Sequence, residues 1–420
     1  MERQETGDII VNHAQVQRLL GNRGEAVISE LTPEGDATEW GARLVGFRRG
    51  LAELRARQTE PDVLSSADHP VGALLQSYLA ERAEEEGALE PVRTGGFEVA
   101  IDDKDYLGWV RSFFTWWGKL QPHDWVQAPT APEAIPDTIR IAVLGDWGSG
   151  LYGAPVCAQS VARDPKGYGL ILHLGDVYYS GTRKEVGTRF LRYWPNVAGA
   201  LGRAVNANHE MYSGGHGYYD IILNALHQPS SVFALQNEHW LVVGLDTGYV
   251  EHDLAHDQAQ WLAMMVEAAG DRRVLVFSHH QPFSLFEKQG VKLQTKLRPL
   301  LEAGRITAWY WGHEHRCVIY DQHPGWGLLG RCIGHSGYPY FRDSLGNAPR
   351  TALPGGHELR RVERAGVPLG LVLDGPNPHV IGHEQKYGPH GYASLELRDG
   401  HLDETIHAAD GTVLWQRQLA

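Results

Sequence analysis

Five short clusters hold most of the side chains in this sequence that could bind a cation or move a proton. They are Gly145-Asp146-Trp147-Gly148, Gly175-Asp176-Val177-Tyr178-Tyr179, Asn208-His209-Glu210, His279-His280-Gln281-Pro282 and Gly312-His313-Glu314-His315. Together they offer carboxylate, phenolate, amide oxygen and imidazole, a hard-to-borderline set that suits iron, manganese or zinc rather than copper(I) or an iron–sulfur cluster. Two adjacent metal ions would use all of it. In His313-Glu314-His315 the imidazoles stand two residues apart, so extended backbone would send both to one side and Glu314 to the other, and one loop could feed two ions. A carboxylate can bridge such ions, and a pair roughly 3.5–4 Å apart can clamp the attacking and leaving oxygens of a phosphoryl transfer.

These clusters need elements to position them. Short apolar runs precede them or lie between them (IRIAVLG, GLILHLG, HWLVVGLD, RRVLVFSHH and ITAWYWGHEH), each of strand length. Helical segments such as VGTRFLRYWPNVAGAL and DQAQWLAMMVEAA alternate with the runs, which predicts a layered α/β domain. Polar residues then fall at strand ends, where open α/β sheets gather functional loops. After about Pro354 short strands complete a sheet. From Ile9 to Leu120 the apolar spacing is helical, and Tyr106, Trp109, Phe113, Trp116 and Trp117 form an aromatic face read as packing. Pro129, Pro132 and Pro136 mark a linker. The division expected is a helical region over residues 1–130 and a catalytic domain over 137–420.

Composition narrows the partners. The 420-residue chain carries a formal charge of −13 with a pI near 5.9, so it lacks the basic field of a nucleic-acid binder and a polyanionic polymer is not expected as substrate, while a small phosphorylated one stays open. Cys157, Cys317 and Cys332 have neither disulfide nor zinc-ribbon spacing. The first residues show no charged segment leading into an apolar one, and no long apolar run follows, so a cytoplasmic protein without a membrane span is expected. Nothing in the sequence sets the oligomeric state.

In this order the five clusters resemble the calcineurin-like metallophosphoesterase superfamily, and two details resemble its purple acid phosphatase branch. The first cluster reads Asp146-Trp147-Gly148 rather than Asp-x-His, and Tyr179 stands three residues after the second aspartate. The resemblance implies a two-sheet sandwich flanked by helices, with the helical N-terminal region as an addition. It also implies a dinuclear centre of Fe(III) paired with Fe, Zn or Mn. Asp146, Asp176, Tyr179 and His315 would hold one ion; Asp176, Asn208, His280 and His313 would hold the other. The activity implied is hydrolysis of a phosphomonoester by a metal-bound hydroxide, with His209 at the substrate. A phosphodiesterase on the same core, or a silent binding protein on this fold, are the alternatives. Ala207 and His279 stand where the family usually has glycine; register with Pro282 favours His280 over His279 as the ligand.

Outside the clusters, His216 in the loop after Glu210 is a candidate second catalytic imidazole. The segment Gly334-His335-Ser336-Gly337-Tyr338 could line the mouth of the site. His173 is read as a strand residue, Cys317 as a buried thiol, and Glu210 and Glu314 as partners behind the ligands.

Overall fold

In the strand Ile139–Leu144 (β1), Ile141 and Val143 face one apolar cluster and Ala142 and Leu144 another, the two-residue repeat of extended chain. The computed structural model describes residues 9–11, 37–56, 60, 62–86, 89–91, 97–99, 113, 116–117, 120–342 and 345–419. In it β1 lies parallel to Leu170–His173 (β2), which lies parallel to Leu201–Ala204 (β3). Gly391–Arg398, His401–Ala408 and Val413–Gln418 pair antiparallel on the other side of β1 and complete a six-stranded sheet. At the centre of a ten-stranded sheet, Trp240–Gly244 (β4), Arg273–Ser278 (β5), Ile306–Trp311 (β6) and Leu329–Ile333 (β7) run parallel.

Ile141, Val143, Leu170 and Leu172 of one sheet share a buried cluster with Leu275, Phe277, Ala308 and Tyr310 of the other. Each buried aliphatic side chain contributes roughly 1.5–3 kcal/mol, so the two sheets depend on one another. The outer face of the six-stranded sheet packs on the helix Ala154–Arg163 through Cys157 and Val161. Val274, Val276, Trp309 and Trp311 pack on the helices Gln258–Ala268 and Val291–Glu302. The architecture is the expected α/β sandwich of two sheets flanked by helices. The three cysteines are buried and free, and no helix among the described residues is long and apolar enough to cross a membrane.

The helices Ala37–Ala56 and Pro70–Glu86 form where the periodicity placed them, but Ile9–Ile10, Leu89–Pro91 and Phe97–Val99, read as part of a helical region, pair instead as a small three-stranded sheet. The apolar residues of the two helices do not close a core of their own. Phe47, Leu74, Tyr78 and Leu79 belong to one buried cluster with Tyr152, Tyr178, Tyr179 and Tyr338. Leu64 N donates to Tyr152 Oη at 2.8 Å, and Ser66 N to Tyr338 Oη at 2.7 Å. The proline-rich stretch is also attached rather than free: Glu133–Ala134 pairs with Leu235 and Gln236 as an edge strand, and Pro129 O accepts from Trp261 Nε1 at 2.7 Å. A boundary between residues 130 and 137 therefore falls within connected structure. Phe113 is buried against Phe47 and Tyr78, with Trp116 and Trp117 packed around it, while Tyr106 and Trp109 lie outside the described residues.

Candidate active site

Parallel register brings the C-terminal ends of six strands, three in each sheet, to one edge of the sandwich. Leu144 pairs with His173, His173 with Ala204, Gly244 with Phe277 and Ser278 with Trp311. Just beyond these ends come Asp146, Asp176, Asn208, His279 with His280, and His313 with His315. Asp146, Asp176, His313 and His315 have φ of 52°, 73°, 68° and 53°, left-handed backbone that a non-glycine residue adopts at a cost. The His313–His315 loop is thus tightly turned rather than extended. Its two rings face different groups. His315 joins Asp146 and Asp176, while His313 joins His280 and His252, and within each group one potential ligand atom per residue lies within 4.8 Å of the others. Glu314 turns into the protein, where Trp311 Nε1 and Ser284 Oγ donate to it and burial pushes its carboxyl up to about 7.

The phenol at the first group is not Tyr179. Tyr178 Oη stands 2.9 Å from Asp176 Oδ2, 3.2 Å from Asp146 Oδ1 and 2.9 Å from His315 Nε2. Tyr179 points the other way: its Oη donates to Ile9 O at 3.0 Å and accepts from Val11 N at 2.8 Å, with the Arg189 guanidinium over its ring. Glu185 takes the Tyr179 amide at 2.6 Å and Arg189 takes the Tyr178 carbonyl at 2.9 Å, which pins the backbone between the two rings. Burial and the Asp176 charge push Asp146 well above the usual carboxylate range. Burial works in the same direction on Asp176, but the imidazoles of His209, His279, His313 and His315 outweigh it and hold that carboxyl low.

Hydrogen bonds sort the histidines by their free ring atoms. His279 Nδ1 lies 2.8 Å from Leu174 O and so carries a proton, leaving an Nε2 lone pair 3.2 Å from His313 Nδ1 and 3.4 Å from Asp176 Oδ1. His313 Nδ1 can then donate to His279, which makes His313 Nε2 the lone-pair nitrogen. His280 Nδ1 meets Thr247 Oγ1 at 3.0 Å, and its Nε2 is buried without a partner. Asn208 Nδ2 donates to Tyr212 Oη at 2.7 Å, and its Oδ1 is likewise buried without a partner. Ala207 precedes Asn208 in extended conformation (φ −133°, ψ 171°), so its methyl group strains no turn. Room for that methyl comes from Gly175, where a Cβ would stand 2.6 Å from it.

His209 is buried, with Nδ1 2.6 Å from Tyr179 O and Nε2 3.9 Å from Asp176 Oδ2. His216 does not join this assembly. Its Nε2 meets Gln121 O at 2.9 Å and its Nδ1 faces Asp220, because the loop after Glu210 folds back on the segment at Gln121 and His123. The Gly334–Tyr338 segment braces the site: Tyr338 N donates to Asp146 O at 2.9 Å, and the Tyr338 ring lies 4.1 Å from that of His315. His173 is an interior strand residue against Trp147 and Phe190. A cleft of about 340 Å³ opens over the groups, lined by Asn208, His252, His313 and His315 and rimmed by Asp68, Glu251, Glu287, Lys288 and Arg316. The sequence offered no motif for His252, Thr247 or Asp68; an isolated histidine or aspartate becomes informative only when packing brings it to the cleft.

Residues 139–317 match the family described as Calcineurin-like phosphoesterase. The chain is 25% identical over 334 residues to the tartrate-resistant acid phosphatase type 5 of Sus scrofa, covering 69% of this chain and 88% of that protein. It is 26% identical over 347 residues to the same enzyme of Oryctolagus cuniculus, covering 73% and 98%. Among solved structures, the purple acid phosphatase PPD1 isolated from yellow lupin (Lupinus luteus) seeds is similar with a TM-score of 0.49 at 12% identity, over 70% of this chain and 55% of that one. The chain thus spans little more than half the length of the lupin protein. The motif-bearing strands lie inside residues 139–317, the part of the chain that is similar to the calcineurin-like phosphoesterases, and the relatives that span more of it are tartrate-resistant acid phosphatases.

Proposed function

We propose that this chain hydrolyses a small phosphomonoester at a dinuclear metal site. The observation that supports it best is a set of buried donor atoms without hydrogen-bond partners, Asp176 Oδ1, Asn208 Oδ1 and His280 Nε2, on loops that meet at one sheet edge. Buried polar atoms are ordinarily satisfied, and the donors left over here are lone pairs, which a cation fits. Asp146, Asp176, His315 and the Tyr178 phenol would hold one ion, an oxygen-rich set suited to Fe(III). Asp176, Asn208, His280 and His313 would hold the other, a divalent Fe, Zn or Mn. Thr247 orients His280, and His279 Nε2 faces both His313 Nδ1 and Asp176 Oδ1. When bound, such a pair neutralises phosphoryl charge and lowers the pKa of a water.

The chain's own groups do the rest. His209 has its Nδ1 proton tied to Tyr179 O, which leaves Nε2 on the Asp176 side to carry a proton to the leaving oxygen. Lys288 and Arg316 at the rim attract a phosphate, while Asp68, Glu251 and Glu287 beside them disfavour a polyanionic chain. A cleft of about 340 Å³ is at the small end of ligand sites and favours a compact ester. Assay of the metal-loaded protein on aryl monoesters and diesters tests the reading. Turnover of monoesters is expected. A preference for diesters would move the activity to phosphodiester hydrolysis, and two bound ions without turnover of either would leave a binding protein.

A further inference from the structure

The site contains an imidazole that the two ligand sets above do not use. His252 lies on the loop after β4, whose last residue, Gly244, pairs with Phe277 of β5, so this loop leaves the sheet beside the His279–His280 loop. The loop is anchored on both sides of His252. Asp246 accepts from Gly248 N, Tyr249 N and Asn206 Nδ2, and Asp253 pairs with Lys296 at 2.7 Å. Between these anchors His252 is held at φ 57°, and its ring centroid lies 3.9 Å from that of His280 and 5.0 Å from that of His313. A ring nitrogen from each of the three lies within 4.8 Å of the others. His280 Nε2 is buried there without a partner. Packing alone gives no reason to gather three imidazole edges around an unsatisfied nitrogen.

We infer that His252 is a ligand of the second ion, which would meet three imidazoles and the Asn208 amide oxygen in addition to its share of Asp176. This rests on the dinuclear reading and deepens it. A nitrogen-rich position of this kind favours zinc over manganese or magnesium, following both donor softness and the Irving–Williams order, whereas the position at Asp146 and Tyr178 keeps its oxygen character. The two positions would then differ in which metal they retain as well as in charge.

The test uses the full chain, stripped of metal and titrated with Zn(II) against a chromophoric chelator, and separately with Co(II) while the visible spectrum is recorded. His252→Asn is the informative variant because asparagine tolerates the left-handed backbone at this position and the shorter side chain withdraws the ring. Wild type should take up two ions. The variant should hold one unchanged and the other at least about tenfold more weakly, with altered Co(II) bands, while the thermal transition of the metal-free protein stays in place. Two ions bound with wild-type affinity and spectrum would remove His252 from the ligand set and leave the dinuclear reading standing. Wild type that binds no divalent ion would overturn both. A variant whose metal-free form melts early is replaced by His252→Gln, judged by the same affinities and bands.

Discussion

The neighbouring tyrosines Tyr178 and Tyr179 make opposite demands on experiment. Tyr179→Phe keeps the ring and removes an Oη that accepts from Val11 N at 2.8 Å and donates to Ile9 O at 3.0 Å. Ile9 O retains a second donor, Arg189 Nη2, at 2.7 Å, so one buried amide, that of Val11, is left unpaired. Leaving a buried donor unsatisfied costs about 1–3 kcal/mol, which a urea transition followed by tryptophan fluorescence resolves easily. Metal uptake in this variant should match wild type. Tyr178→Phe instead removes the oxygen shared by Asp146, Asp176 and His315. A phenolate donating into ferric iron absorbs visible light, so iron-loaded wild type and Tyr179→Phe should be coloured and Tyr178→Phe colourless. Colour lost in Tyr179→Phe and kept in Tyr178→Phe would refute the placement of the two rings. So would a Tyr179→Phe protein as stable as wild type, since the Val11 amide would then have had no bond to lose.

Other outcomes follow from the same geometry. His209→Ala should retain both ions by metal analysis and slow single-turnover hydrolysis by roughly 10²–10⁴-fold, the range of a lost general acid. His335 and His390 are fully buried, and burial pushes each down to about 3. Their folded pKa is depressed, so the unfolded chain binds protons that the folded one refuses, and stability falls as pH drops from about 6.5 towards 3. One unit below 6.5 each group costs about 1.4 kcal/mol, and His335→Gln should flatten the fall in urea midpoint between pH 7 and pH 5. Deleting residues 1–130 should abolish cooperative thermal unfolding and metal uptake together, because Tyr178 and Tyr179 are buried in a cluster with Phe47, Leu74 and Tyr78. Intact metal binding in that truncation would show that the catalytic portion does not need the shared core.

Much of the site was legible in the sequence because strand ends determine it. An apolar run of fixed length followed by Gly-Asp, Asn-His-Glu or Gly-His-Glu-His must release its polar residues at the sheet edge, and parallel pairing brings those edges together. That reasoning reached Asp146, Asp176, Asn208, His209, His280, His313 and His315. It failed for Tyr178 and Tyr179, where spacing could not say which ring turns inward. The answer lies in partners up to 170 positions away in sequence, Ile9 and Val11, together with Glu185 and Arg189. It failed again for His216, whose ring is taken by Gln121 and Asp220, and it gave no sign of His252, which reaches the site from a separate loop beside β5. The helices of the first hundred residues were visible from their periodicity, yet their place against Tyr178 and Tyr179 was not. Local pattern determines which residues leave a strand together. Which side chain then faces the cleft is decided by competition among distant groups for the same buried hydrogen bonds, and only the folded chain brings those groups within reach.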